Sequence, residues 1–287
     1  MEKSLVAISY NQPDSDYRRE PAEAQSYVKH ILKSPQHYLA AKEKQWPPTP
    51  NMQIGSAVHC LVLEGLDAFN DRYILKPDDM SFSTKEGKAW KAQNSRKTIL
   101  TNSDRDKMYD SILGMSEKLM SLDFFRPEQT DYQKYNELSI YWRSAEQLEC
   151  KARLDRLWIQ DDKVIVLDLK TTDSVDPKKF ERKVHDLNYL FQAGWYTEAA
   201  MAAYGLPVEF WFVAVERQSP HSIGIFPVAE DMMAEALSQT QHARKVLSEC
   251  KEMQRWRDPE TFVFDLTLPS WYVSPVPVDC YGDEELF

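Results

Sequence analysis

A mixed α/β fold, with a central sheet flanked by helices, is what this 287-residue sequence predicts. Residues 151–159 (KARLDRLWI) and 164–169 (VIVLDL) are rich in strand-forming side chains and are separated by a short polar turn at 160–163, so they read as neighbouring strands. Residues 177–204 combine alternating charge with Phe180, Val184, Leu187, Leu190, Phe191 and Trp195, which predicts a long helix returning across the sheet. PVEFWFVAVE, residues 207–216, is a further strand. The order strand, strand, helix, strand belongs to a mixed α/β core.

The other elements follow from local pattern. Residues 22–45 predict helix on both sides of Ser34-Pro35, where proline interrupts one helix and lets another begin. WPPTP is a stiff connection. Residues 51–64 place Ile54, Val58, Leu61 and Val62 on one helical face, with Gly55 and Ala57 small enough for close packing and His59 at the edge of that face. Residues 78–107, polar and lysine-rich, predict an arch or exposed helix. A helix is expected over about 104–121, strands from NELSIYWR onward, a short strand in HSIGIFPV, a last helix over 230–257 and an extended tail from Pro269. With neither an internal repeat nor a linker, the chain reads as one domain, residues 1–287, with a helical part over about 22–121 and an α/β core over about 135–265.

The formal charge of −10 argues against broad adhesion to nucleic acid but leaves room for a local basic cleft. Lys85, Lys88, Lys91, Arg96 and Lys97 are candidate phosphate contacts, with Trp90 packing beneath them. Lys178, Lys179, Arg182 and Lys183 form a second strip, diluted by Asp176, Glu181 and Asp186. The four cysteines are too scattered for a disulfide framework or metal cluster and fit a reducing compartment. No apolar run reaches the length of a membrane span, so a cytoplasmic protein is expected.

The chemistry concentrates in 149–174. If the two strands pair, Asp155 and Asp168 approach one end of the sheet and offer oxygen ligands to Mg²⁺ or Mn²⁺. Asp168 and Lys170, two positions apart on a strand, project to one face. Carboxylates beside a lysine suit metal-assisted phosphodiester hydrolysis, with Lys170 orienting water and stabilising charge, and the Leu169 carbonyl available as another ligand.

The ordered segments SPQHYLAAK, IGSAVHCLVLEG, CKARLDRL, VLDLKTTDS and YLFQAGWY resemble the RecE-type (exodeoxyribonuclease VIII-like) exonucleases of phage recombination, within the PD-(D/E)XK superfamily and related to the RecB and lambda exonuclease nuclease domains. The resemblance implies a restriction-endonuclease-like core with His59, Asp155, Asp168 and Lys170 as catalytic residues. It makes His59, Asp155 and Asp168 the metal ligands, beside the Leu169 carbonyl already offered by hard-cation chemistry, and places Gln192 and Tyr196 toward DNA or the acids. Glu137 is a supporting acid. Further implications are one or two Mg²⁺ or Mn²⁺ ions, 5′ to 3′ digestion of linear duplex ends, a ring-shaped homo-oligomer, and a single-strand annealing partner of RecT type in a bacterial host cell. The alternatives are a RecB-like or Cas4-like nuclease acting on other DNA ends, and a noncatalytic DNA-binding or scaffold protein. The lack of a four-cysteine cluster counts against the Cas4-like form, and the lack of G-x-x-x-x-G-K-[ST] counts against a fused motor.

Overall fold

The strand-forming runs at the centre of the chain build one seven-stranded sheet, and the helical segments cover both of its faces. A computed structural model describes residues 6–43, 47–102, 107–123, 125, 133–258, 261, 263 and 265–267. In order, its elements are β1 (Val6–Ser9), α1 (Asp14–Arg19), β2 (Glu23–Ala24), α2 (Gln25–Val28), a 3₁₀ turn (Lys29–Leu32), α3 (Pro35–Glu43), α4 (Pro50–His59), a π-helical turn (Cys60–Glu64), α5 (Leu66–Arg72) and β3 (Tyr73–Leu75). Then come α6 (Lys85–Gln93), β4 (Thr98–Leu100), α7 (Met108–Met120), β5 (Gln133–Arg143), β6 (Glu149–Ile159), β7 (Val164–Thr172), α8 (Pro177–Asp186), α9 (Tyr189–Tyr204), β8 (Val208–Glu216), β9 (Ile223–Pro227) and α10 (Glu230–Met253).

The sheet runs β1-β5-β6-β7-β8-β9, with β2 added on β6, while β3 and β4 form a separate parallel pair. Only β7 and β8 pair in parallel along the main path, because α8 and α9 carry the chain back between them. Strand alternation then sorts β7: Val164 and Val166 face the layer of α8, α9 and α10, while Ile165, Leu167 and Leu169 face α4, the π turn and α7. Gly55 lets α4 lie against β7, since a Cβ there would stand 3.3 Å from Thr171 Oγ1. Gly194 does the same between α9 and α10, where a Cβ would come within 2.5 Å of the Ala236 carbonyl oxygen.

Several expected elements are corrected. The single helix over 177–204 is two, parted at 187–188 with Asn188 in the left-handed region at φ 54°. Its first part is two-faced and buries only Phe180 and Val184, whereas α9 is buried nearly all round, so the two halves cannot share one axis. Asparagine is one of the few residues that tolerates the turn. The helix over 51–64 ends as a π turn, and the segment before Pro35 is a single α turn tightened into 3₁₀ geometry. The helix placed over 104–121 is described from Met108, residues 103–106 lying outside the described set, and the last helix stops at Met253 with Gln254 left-handed. The tail from Pro269 lies outside the described residues. β1 to β4 carry too few residues to show a period and were not anticipated.

β2 also anchors the N-terminal helices. Glu23, 3% exposed, accepts from Tyr38 Oη at 2.9 and 2.8 Å, from Lys42 Nζ at 3.1 Å and from Lys251 Nζ at 2.7 Å. Burial alone would raise its pKa, but Lys251, Lys42 and Tyr38 more than offset it and hold the carboxyl below its ordinary value. The stabilisation is therefore full above the unfolded pKa of about 4.3 and is lost as pH falls through the depressed folded value. Glu23→Gln should cost about 2 kcal/mol at pH 7, a figure kept modest because both ammonium groups are partly exposed. In urea unfolding that loss should shrink toward pH 3.

Candidate active site

β6 shares one edge with two partners. β2 pairs with it at Cys150 and Lys151, and β7 at Arg156 to Ile159, so, among the described residues, 152–155 have no strand beside them on that edge. Past Leu167 the antiparallel pair forks. Leu169, just beyond the fork, needs other partners for its peptide groups: its N–H donates to Asp155 Oδ2 at 2.8 Å, and its carbonyl lies 2.8 Å from His59 Nε2. The fork thus lets side chains from both faces of the sheet meet.

On the α4 side, His59 closes its helix, Asp155 stands on β6 and Glu137 lies opposite it on β5. The β5–β6 register brackets that pair through Asn136↔Arg156 and Leu138↔Leu154. Glu137 has φ 48°, a left-handed backbone that is uncommon for glutamate and breaks the ladder locally. Donor atoms of His59, Glu137 and Asp155 all lie within 4.8 Å of one another. Arg153 Nε pairs with Glu137 Oε2, and its Nη1 donates to the Gln12 carbonyl at 2.8 Å. On the α9 side, Asp168 is fully buried, in ion-pair contact with Lys170 and accepting from Gln192 Nε2 at 2.9 Å. Lys170 Nζ also donates to Gln192 Oε1 at 3.1 Å and stands 4.7 Å from the centre of the Tyr189 ring.

The electrostatics follow from burial. Burial keeps His59 below its ordinary pKa, so the imidazole is neutral. A carbonyl can only accept, so the proton sits on Nε2 and Nδ1 turns its lone pair toward Asp155 Oδ2, 3.5 Å away. Burial also raises Asp155 and Glu137, and lifts Asp168 to about 6 despite the adjacent ammonium. Lys170 is moved the other way: burial would lower it, but Asp168 and Asp155 raise it and keep it charged. Donor atoms of an imidazole and two carboxylates thus converge where burial disfavours the charge of each, and Asp168 Oδ2 has no aligned hydrogen-bond donor among the described residues. This oxygen-rich set with one nitrogen fits a hard divalent cation.

The Leu169 carbonyl, expected as a ligand, accepts a hydrogen bond from His59 Nε2 and so fixes the imidazole tautomer. Glu137, expected as a supporting acid, lies with His59 and Asp155 in the group whose donor atoms converge, while Asp168 is paired with Lys170. A cleft of about 850 Å³ opens from His59, Glu137, Asp155 and Tyr196 past Tyr17, Ser26 and Lys151. None of Lys85, Lys88, Lys91, Arg96 and Lys97 lines it. Lys97 donates to the Asn70 carbonyl at 2.6 Å, Lys91 lies over the Phe82 ring, and Trp90 packs on Phe82. Arg153 and the Gln12 carbonyl were missed by sequence reasoning, since nothing local marks them.

Residues 24–260 match the family model of a PDDEXK-like domain of unknown function (DUF3799). Among solved structures the chain is similar to a Eubacterium rectale protein provisionally described as an exonuclease, with a TM-score of 0.54 at 11% identity, covering 91% of this chain and 97% of that one. A Vibrio cholerae protein aligns over 85% of this chain and 58% of its own, at 11% identity and a TM-score of 0.23. No curated protein matches the chain.

Proposed function

Since the chain belongs to the PDDEXK-like domain family DUF3799, we propose that it is a metal-dependent exodeoxyribonuclease that digests linear double-stranded DNA 5′ to 3′ and exposes a 3′ strand for annealing. The observation that carries the reading is the convergence of His59, Glu137 and Asp155 beside the Asp168–Lys170 pair at the fork of β6 and β7. His59, Asp155 and Glu137 would hold Mg²⁺ or Mn²⁺, as one or two ions, with Asp168 supporting them. The cation, when bound, polarises the scissile phosphate and acidifies water.

The chain's own groups do the rest. Lys170, charged and held by Asp168 and Gln192, orients the attacking water and meets charge developing on the phosphate, which suits an ammonium that stays protonated. Gln192 holds the lysine and the aspartate at once, so it fixes their relative position. α8 buries Phe180 and Val184 and turns Lys178, Lys179 and Arg182 outward, directly after the strand that carries Lys170. We assign the duplex backbone to that face, where a local positive strip offsets the acidic chain. Lys183, by contrast, is held by Thr172 Oγ1 at 3.0 Å. A ring-shaped homo-oligomer and a RecT-type annealing partner complete this reading, in a cytoplasmic protein of phage or prophage origin.

The test compares strand-specifically end-labelled linear duplex with covalently closed circular DNA, with Mg²⁺ and with EDTA. Nucleotide release from 5′ ends of the linear form alone, abolished by EDTA, is expected. Digestion solely from 3′ ends would overturn the polarity, and cutting of the circle would overturn the exonuclease assignment.

A further inference from the structure

Alternate residues of a strand share a face, and in β6 Lys151, Arg153 and Asp155 are three in succession on the face that lines the cleft. On β5, Tyr141 and Ser139 stand opposite the first two, and Glu137 converges on Asp155. Lys151 and Arg153 reach for residues 12–20, the segment that carries the chain from β1 to β2 through α1. That segment lines the cleft with Pro13, Asp14, Ser15, Tyr17 and Arg18. Lys151, 3% exposed, donates to the Tyr17 carbonyl at 2.8 Å and to the Glu20 carbonyl at 2.6 Å, with its ammonium 4.7 Å from the centre of the Tyr17 ring. Arg153 Nη1 donates to the Gln12 carbonyl at 2.8 Å, and Tyr141 Oη donates to Gln12 Oε1 at 2.8 Å. α1 buries none of its own residues, so these polar contacts from β5 and β6, with the flanking strands, set where it lies.

The same guanidinium makes a second contact. Arg153 Nε is paired with Glu137 Oε2, and the two side chains are only 10% and 17% exposed. Glu137 has a left-handed backbone that glutamate seldom adopts, and its side chain has several torsions to lose on meeting a cation. A rigid fork holding one carboxylate oxygen removes much of that freedom beforehand. One planar group therefore spans a candidate ligand and the wall of the cleft. Charge alone would act the other way, because a guanidinium beside the cluster repels a divalent cation. Positioning and charge thus predict opposite signs for the effect of removing Arg153 on metal affinity.

We propose that Arg153 is a positioning residue: it presents Glu137 to the cation and, through the Gln12 carbonyl, makes docking of residues 12–20 and metal binding reinforce each other. The inference rests on the cation site of the reading above and names a residue which that reading does not use. Linkage requires the coupling to run both ways, so if the docked segment tightens metal binding, bound metal must tighten the segment.

The test uses the full chain without DNA. Calorimetric titration of Mn²⁺ is paired with hydrogen–deuterium exchange of residues 12–20, for wild type, Arg153→Met, Lys151→Met, Glu137→Gln and the Glu137→Gln/Arg153→Met double variant. Arg153→Met should weaken Mn²⁺ binding by ~10- to 100-fold, as loss of a ligand's hydrogen-bond partner does. On the Glu137→Gln background the same change should cost about twofold or less, since the carboxylate it acts through is gone. In wild type Mn²⁺ should slow exchange in 12–20, and in Arg153→Met that slowing should vanish. Lys151→Met, which loosens the segment at its other end, should speed exchange and weaken Mn²⁺ binding several-fold. Equal or tighter Mn²⁺ binding by Arg153→Met would overturn the proposal, as would the same loss on both backgrounds, which marks a general effect on the fold. Should Arg153→Met not fold, the other proteins decide: exchange in wild type that ignores Mn²⁺, or Lys151→Met that binds Mn²⁺ as wild type does, overturns the coupling. Wild type that binds neither Mn²⁺ nor Mg²⁺ would remove the cation reading and this one together. Mn²⁺ binding without DNA cleavage would remove the nuclease reading and leave these same comparisons to decide for Arg153.

Discussion

Replacing Asp168 by asparagine is expected to lower metal-dependent hydrolysis of linear duplex DNA by at least ~10³-fold while leaving the protein folded and able to bind DNA. Asparagine keeps the oxygen that accepts from Gln192 Nε2 and fills the same buried volume, so packing around β7 is preserved. What is lost is the negative charge that holds Lys170. With its buried partner neutralised, the ammonium has Asp155 as the remaining carboxylate that raises its pKa, and is drawn toward the cation ligands. The site then loses both the oriented lysine and the charge balance of the cluster. Initial rates on end-labelled duplex, with Tm and anisotropy of a labelled oligonucleotide recorded on the same preparation, check the three parts. An Asp168→Asn variant that retained rates within a few-fold of wild type would remove the proposed centre.

The pairing that creates this centre could be read from residues 151–169, because two strand-like runs with a short polar turn have one plausible register. That register puts Asp155 and Asp168 at the same end, and the β6–β7 ladder has Arg156 opposite Leu167. Lys170 beside Asp168 followed from the two-residue period of a strand. What the period cannot show is a fork. The peptide groups of Leu169 bond to Asp155 and His59 side chains because β7 leaves β6 past Leu167 and because a two-residue strand, too short to leave a pattern, takes the neighbouring stretch of that edge. Glu137 was underweighted for a related reason: its place in the cluster depends on a left-handed backbone that glutamate does not advertise. The break between α8 and α9 was misjudged because alternating charge and apolar residues satisfy one long helix as well as two. Only the change from a two-faced to an all-round buried segment tells them apart.

His59→Ala is expected to weaken activation by metal about 100-fold, with activity partly recovered at high Mn²⁺ concentration. The imidazole contributes the single nitrogen among the converging donors, presented through Nδ1 because Leu169 fixes the proton on Nε2. Nitrogen donors favour Mn²⁺ over Mg²⁺ more than carboxylates do. The wild type should therefore reach half-maximal rate at a lower Mn²⁺ than Mg²⁺ concentration, and His59→Ala should narrow that gap as well as raising both values. His59→Asp provides the discriminating comparison: an added carboxylate restores an oxygen donor, so Mg²⁺ activation should recover more than Mn²⁺ activation. If His59 served packing alone, all three proteins would show the same metal dependence and differ only in stability. Its position argues against that outcome, because Nδ1 faces Asp155 Oδ2 at 3.5 Å, with Glu137 in the same cluster, and not an apolar neighbour. Calorimetric titration of Mn²⁺ into the three proteins, without DNA, measures the same difference independently of turnover.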